Sequence, residues 1–219
     1  MAYLSLRLQT IHDLLPKGVI ADIGSDHGKL MIALFKSGKL SKGYAIENKK
    51  GPYNRLVNAI EKEGLIDDIV PLLSDGIEDI PHDVNHLVLA GMGGDLIVDI
   101  LKKHPEKLKN IETIVVDPHG AIKKVREEIS NMGYAIAEEK MIKEDDKFYE
   151  IIKFIRADIA FYSSEDLEFG PILRSEKSAT FKEKYTQRIE EIDTLLTKDL
   201  PESRINELLK EKSLIESIL

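Results

Sequence analysis

The run Val19-Ile20-Ala21-Asp22-Ile23-Gly24-Ser25-Asp26-His27-Gly28 constrains this chain more than any other feature. It reads as an apolar strand entering an acidic, glycine-rich turn with a helix behind it. Gly24 and Gly28 let the backbone pass close to a ligand where a side chain would block it. Asp22 stands where the strand ends, and Asp26 and His27 add polar chemistry inside the turn. In an open α/β fold such a turn lies in the crevice at the carboxyl ends of the strands, where ligands bind. A second such turn, Ala90-Gly91-Met92-Gly93-Gly94, follows another apolar run. The pair predicts a cleft with a cofactor side and a substrate side.

The surrounding sequence keeps the same rhythm. Short β-branched runs at Val19–Ile23, Gly43–Ile46, Ile69–Leu73, His86–Ala90 and Ile111–Val116 suit strands buried on both faces. Helical stretches near Lys29–Ser37, Pro52–Glu63, Leu96–Lys103 and Ala121–Met132 separate them, with Gly38 and Gly64 fit to end two of these. This alternation predicts a doubly wound sheet. Ala135–Ile142 and Phe148–Arg156 flank the polar Lys143-Glu144-Asp145-Asp146-Lys147 and read as a closing antiparallel hairpin.

After about Ala160 the style changes. Phe169-Gly170-Pro171 breaks the chain, and Phe181, Tyr185, Ile189, Ile192 and Leu196 then recur three or four apart on one helical face. Beyond Asp199-Leu200-Pro201, with Pro201 suited to a first helical position, Leu208, Leu209, Ile215 and Leu219 form a second stripe. Two helices joined by a short turn make an antiparallel hairpin, either a packing or dimerisation pair or an arm that grips a macromolecule. Arg174, Lys177, Lys182, Lys184 and Arg188 are opposed in that stretch only by Glu176 and Glu183, which favours the arm. The expected division is residues 1–159 for the catalytic unit and 160–219 for the hairpin.

With 219 residues there is room for one full domain and a small appendage. The absence of cysteine excludes disulfides, thiolate metal sites and cysteine nucleophiles. His12, His82, His86, His104 and His119 form no metal-ligand spacing with the acids around them, so no metal is expected. The first residues form a short amphipathic helix without a secretory core, and no run reaches the roughly 18 apolar residues of a membrane span. A cytoplasmic enzyme away from membranes is the expectation. A net charge of -8 advertises no bulk polyanion partner, though one local basic face suffices to hold a structured RNA.

The acids choose the cofactor. A dinucleotide turn reads G-x-G-x-x-G and cradles a pyrophosphate. Here the middle glycine is missing and Asp26 stands beside its place, a poor neighbour for phosphate. S-adenosylmethionine has no phosphate, and its sulfonium and amino groups are cationic, so Asp22 and Asp26 become assets. Backbone N–H groups of the turn can hold its carboxylate, and Ser25, His27 and Gly28 are expected to bind the cofactor. Glu47, 25 residues after Asp22, can accept both ribose hydroxyls, and Asp75-Gly76 at the end of the third strand can face the adenine.

The residues now assembled resemble the bacterial TrmK family. The resemblance rests on Arg7-Leu8-Gln9, Ala21–Gly28, Glu47, Asp75-Gly76, Ala90–Gly94, the run Asp145–Glu150, Phe169-Gly170-Pro171 and the terminal hairpin, and it spans essentially the whole chain. It implies an α/β, Rossmann-like class I methyltransferase sheet with a C-terminal antiparallel, coiled-coil-like helical hairpin, both engaging tRNA. It implies methyl transfer to N1 of adenosine 22 in the D-arm region. Ala90 and Gly91 then border the cofactor, while Gly91, Gly93 and Gly94 let the target adenine approach. Arg7, Lys29, Asp117 and His119 fall on the substrate side. Asp26 is the candidate catalytic residue, accepting from the adenine N6 amino group, with the cofactor amino group as its other possible partner. The sequence departs from the family in two places. Gly28-Lys29-Leu30-Met31 replaces a run with a tyrosine soon after the histidine, where Lys29 is either a phosphate contact or a solvated helix-start lysine. Asp117-Pro118-His119 replaces a Gln-Pro-Asn run. The rival readings are a small-molecule methyltransferase and a catalytically silent RNA-binding adapter. A monomer is expected, with weak self-association through the hairpin left open.

Overall fold

The computed structural model describes residues 4–158 and 161–219. The expected domain boundary at 159/160 lies outside the described residues. Seven strands form one sheet in the order β3-β2-β1-β4-β5-β7-β6: β1 Gly18–Ile23, β2 Leu40–Glu47, β3 Ile69–Leu73, β4 His86–Met92, β5 Thr113–Pro118, β6 Tyr134–Glu144 and β7 Lys147–Arg156. β1 to β5 are mutually parallel, and β7 runs antiparallel to both β5 and β6. The strand order reverses between β1 and β4, which opens a crevice at their carboxyl ends.

The pleat sorts the side chains into two cores. Ile20, Ala45, Val88, Val115 and Ile151 face α1 (Leu6–Leu14), α2 (Lys29–Lys36) and α3 (Lys50–Lys62), where Ile11, Leu34 and Ile60 complete one cluster. Ala21, Ile46, Leu89, Val116 and Phe154 face α4 (Gly94–Lys103) and α5 (Ile122–Asn131), against Ile97, Leu101 and Ile129. Both faces are covered, which is why the strand sequences are near-continuous apolar runs. Ile111 lies before β5, just after a 3₁₀ turn at Pro105–Asn110 that the periodicity did not announce.

The β6–β7 hairpin closes tightly. Glu144 pairs with Lys147, and Asp145 and Asp146 between them both take positive φ, 49° and 58°. Two such residues match the twist of a two-residue hairpin turn.

The C-terminal helices are α6 (Ser164–Phe169), α7 (Pro171–Glu176), α8 (Ala179–Leu196) and α9 (Glu202–Ile218). Ser163 caps α6 reciprocally with Asp166, and Ser178 caps α8 by accepting from the Phe181 N–H. α8 and α9 run antiparallel, as the Arg188–Glu211 and Lys177–Leu219 contacts show. Phe181, Ile192, Leu208 and Ile215 are buried between them and the sheet, each contributing about 1.5–3 kcal/mol. The second stripe needs correction: its buried members are Leu208, Ile215 and Ile218, while Leu209 is 49% exposed. Successive residues on a helix point about 100° apart, so Leu208 and Leu209 cannot both face α8. Pro201 is the residue before α9 rather than its first.

A buried charge cluster joins this region to the sheet. Arg126 of α5 donates to Glu139 at 2.8 Å and Glu150 at 2.5 Å, and Lys184 of α8 also donates to Glu150, at 2.5 Å. Burial raises the Glu139 carboxyl above its ordinary range. Burial acts the same way on Glu150, but Arg126 and Lys184 together overcome it and hold that carboxyl low. Gly170, at φ 83°, passes directly over the cluster: a Cβ there would sit 2.6 Å from Glu139 Oε1 and 2.7 Å from Arg126 Nη2. That close approach is the reason for the Phe-Gly-Pro break.

Candidate active site

β1 and β2 end on carboxylates that share a face. Alternation from Ile20 and Ala45 puts Asp22 and Glu47 on the α1–α3 side, and the same count from Val115 puts Asp117 there. The spatial order across the crevice is therefore Glu47, Asp22, then β4 with Ala90 and Gly91, then Asp117. Asp22 and Asp117 lie two strand spacings apart, about 10 Å laterally.

On the first side, Asp22 is buried and accepts from the Ser25 hydroxyl at 2.7 Å. Burial pushes its carboxyl up to about 6; the Ser25 hydrogen bond opposes this and the Glu47 charge adds to it. Glu47 Oε1 accepts from the Asp26 N–H at 2.6 Å. Asp26 itself takes a left-handed φ of 46°, and its exposed carboxylate lies 3.8 Å from His27. The turn amides are largely spent inside the protein. Gly24 and Ser25 N–H both donate to the Ile46 carbonyl, and Gly28 N–H donates to Ser25. This corrects the expectation that the turn amides as a group hold a ligand carboxylate. The β1–β2 junction needs them to close the turn.

Gly24 and Gly28 have φ of 78° and 65°. A Cβ on Gly24 would reach 3.3 Å from Met92, so the first and second glycine turns touch. Asp75 is mainly exposed and pairs with Lys103 of α4 at 2.8 Å, which holds its carboxyl below the usual range. Gly76 lies against Ile100 of the same helix.

On the far side, the AGMGG glycines differ from one another. Gly91, at φ 73°, leaves room for the Arg7 guanidinium, whose Nη1 would be 3.1 Å from an added Cβ. Gly93 faces open space. Gly94 is a packing glycine: its Cβ would fall 2.4 Å from the Gly120 carbonyl oxygen. Its lack of a side chain serves the α4–α5 contact rather than an approaching base. Arg7 crosses from α1 to Asp117 at 2.6 Å, and His119 lies 3.9 Å from the same carboxylate oxygen. Tyr149 of β7 completes the group, with the Arg7 guanidinium 5.5 Å and the His119 ring 5.8 Å from its ring centre. The sequence reading missed Tyr149 as a site residue. The signal was present in β7, where Tyr149 alternates with Glu150 and shares a face with Ile151.

The structure brings Asp22, Ser25, Asp26, His27, Glu47, Ala90 and Gly91 into one crevice with Arg7, Asp117 and His119. It does not bring Lys29 to their centre: this exposed residue opens α2 and lines a groove of about 410 Å³ with Gln9, Ile32 and Lys36. Nor are most of the hairpin cations free. Arg174 meets Glu165 and Asp166, each at 3.2 Å, and Lys177 reaches the Leu219 carbonyl. Lys184 is committed to buried Glu150, and Arg188 forks onto Glu211 at 2.7 and 3.0 Å. Lys182 has no ion pair among the described residues. The surplus counted along the chain is thus offset in space by acids from β7, α6 and α9.

The β1–β3 side fits S-adenosylmethionine. Asp22, Asp26 and Glu47 offer acceptors to an amino group and a ribose diol, and no hydrogen bond occupies Glu47 Oε2 among the described residues.

Known proteins match this arrangement over nearly its full length. The family described as TrmK: tRNA (adenine(22)-N(1))-methyltransferase matches residues 20–218. A Bacillus subtilis tRNA (adenine(22)-N(1))-methyltransferase is 35% identical over 199 residues, 88% of this chain and 84% of that protein. A Streptococcus pneumoniae protein solved with S-adenosyl-L-methionine superposes with a TM-score of 0.92 at 30% identity, covering 99% of this chain and 100% of that one. TrmK from M. capricolum, solved with S-adenosyl-homocysteine, gives a TM-score of 0.88 at 26% identity, covering 98% and 96%. The acidic crevice, the paired glycine turns and a match running from β1 into α9 lead to one conclusion: this chain belongs to the TrmK family of tRNA (adenine(22)-N(1))-methyltransferases.

Proposed function

We propose that this protein transfers a methyl group from S-adenosylmethionine to N1 of adenosine 22 in tRNA. The observation that carries this reading is the split crevice: hydrogen-bonding carboxylates at the ends of β1 and β2, and a separate carboxylate–aromatic group beyond β4. When bound, S-adenosylmethionine supplies an electrophilic methyl group, and adenine N1 supplies an in-plane lone pair, so the protein need provide neither nucleophile nor metal. Among the described residues no group of three or more His, Asp or Glu side chains could hold a metal ion.

The chain's own task is alignment and exclusion of water. Glu47 holds the ribose hydroxyls, and Asp22 and the Gly24–Gly28 turn border the cofactor's cationic end. Asp75 and Gly76 border its adenine, with Ala90 and Gly91 below. Asp26 hangs from an N–H bonded to Glu47, so of its two candidate partners we assign it the cofactor amino group. Gly93, His119 and Arg7 belong to the substrate side, where alkylation makes the target ring cationic and a nearby carboxylate stabilises it.

Residues 1–159 form the catalytic unit in this reading, and 160–219 a tRNA-engaging hairpin. Lys182 can meet phosphate directly, and Arg174 and Lys177 can exchange the Glu165–Asp166 pair and the Leu219 carbonyl for it; Lys184 and Arg188 hold the hairpin itself. No helix is long and apolar enough to cross a membrane among the described residues, which agrees with action on tRNA in the cytoplasm. The test is turnover of unmodified tRNA with labelled cofactor, followed by mapping of the modified nucleoside. A small-molecule methyltransferase would leave tRNA unlabelled, and a silent adapter would bind tRNA without transfer.

A further inference from the structure

Asp117 is fully buried at the end of β5, yet only half of its carboxylate is used. Oδ2 accepts from Arg7 at 2.6 Å, whereas buried Oδ1 has no hydrogen-bond partner among the described residues. An acceptor in that position lacks the donor that burial ordinarily demands. Four elements converge on it. α1 brings Arg7, and β4 makes room for the guanidinium through Gly91. β5 runs on into His119, and β7 presents the half-exposed ring of Tyr149. The register of β5 with β7 pairs Val116 with Ile152, and its continuation sets His119 opposite Tyr149. The aromatic face thus meets the cation and the imidazole that flank Asp117 Oδ2, in one group with a second carboxylate oxygen that wants a donor.

We propose that Asp117 Oδ1 accepts the exocyclic amino group of the target adenine, that Tyr149 is the surface on which its ring stacks, and that Arg7 is a positioning residue holding Asp117 through Oδ2. The inference rests on adenine N1 as the acceptor of the methyl group and names the groups that read the base. Adenine carries a two-hydrogen donor next to N1, and guanine carries an oxo acceptor there. A carboxylate held by Arg7 has only lone pairs to offer, so it accepts the first and repels the second. As N1 is alkylated the ring becomes cationic and the amino hydrogens more acidic, so this contact strengthens toward the transition state without any proton transfer. Asp26 has no such enclosure, its side chain being 67% exposed.

The test uses two tRNAs joined from synthetic halves, with adenosine or purine riboside at the target position. Purine riboside lacks the amino group and has a less basic N1. The basicity loss is common to all protein variants, so the ratio of kcat/KM between the two tRNAs, compared across variants, isolates the contact. Wild type should favour adenosine, and Asp117→Asn should compress that preference at least about tenfold. Tyr149→Phe should behave as wild type, whereas Tyr149→Ala should raise KM for tRNA about tenfold. Arg7→Ala should compress the preference as well, with partial rescue in Arg7→Lys. Calorimetric affinity for S-adenosylmethionine and the thermal midpoint of each variant are read alongside; cofactor affinity should stay within about twofold. Should Asp117→Asn not fold, Arg7→Ala and Arg7→Lys carry the comparison. Unchanged discrimination in the folded Asp117 or Arg7 variants overturns the inference, as does a loss of cofactor affinity equal to the loss of turnover. If wild type leaves adenosine unmethylated, the N1 reading fails instead.

Discussion

The two sides of the crevice are built by different means. The cofactor side is local: Asp22, Ser25, Asp26 and Gly28 lie within seven residues of one another, and Glu47 ends the neighbouring strand. The substrate side is assembled from afar. Arg7 and Asp117 are 110 positions apart, and Tyr149 arrives on a strand that runs against its neighbour. On the proposed cofactor side the backbone N–H groups close a turn, while Glu47 keeps one carboxylate oxygen without a partner among the described residues. The substrate side spends an arginine from the first helix to hold one carboxylate. A site that binds a common cofactor can be written as a short motif, whereas a site that reads one base must be gathered by the fold.

The largest effect is expected where the AGMGG motif packs. Gly94→Ala puts a Cβ against the Gly120 carbonyl oxygen and should destabilise the fold by about 3 kcal/mol. Gly93→Ala, which enters open space, should change stability by less than about 0.5 kcal/mol. Urea denaturation of both separates packing from ligand approach within one motif; equal stabilities would erase the distinction.

Glu47→Ala should weaken S-adenosylmethionine binding by about 2 kcal/mol, close to thirtyfold, through loss of charge-assisted hydrogen bonds. Calorimetry reads this directly. Arg7→Ala should instead cost about 2 kcal/mol of stability by leaving buried Asp117 without its cation, with cofactor affinity retained. A reversed pattern, Arg7 acting on the cofactor and Glu47 on stability alone, would exchange the two sides.

A smaller effect concerns pH. Asp22 titrates near 6 in the fold, above its unfolded value of 3.8. Its contribution to folding is therefore present below about pH 4 and lost as pH rises through 6. A cationic ligand reverses the preference, since it favours the carboxylate. Cofactor affinity should fall about tenfold between pH 7 and pH 5, and Asp22→Asn should flatten that dependence. A flat profile in the wild type would remove Asp22 from contact with the cofactor.

How far each part could be read from the residues follows the same division. The parallel strands announced themselves because burial on both faces demands apolar runs, and Asp22 and Glu47 fell at their ends. The hairpin turn was marked by Asp145-Asp146. The order β5-β7-β6 was not legible, because an antiparallel pair can dock by either strand. That order alone decides that Tyr149, rather than a β6 side chain, meets Arg7 and His119. The Arg126–Glu139–Glu150–Lys184 cluster was hidden for the same reason, and with it the fact that hairpin cations are spent on acids distant in sequence. Counting charges along a helix misses partners that only packing supplies. Leu209 was misplaced because a count of apolar residues does not say which of two adjacent leucines faces inward.

The most direct test of the account is incubation of the purified protein with labelled S-adenosylmethionine and unmodified tRNA, with nucleoside mapping by mass spectrometry. The account predicts N1-methyladenosine at position 22, abolished when that adenosine is replaced by guanosine. Methylation of another atom or position, or transfer that persists after the replacement, would contradict it.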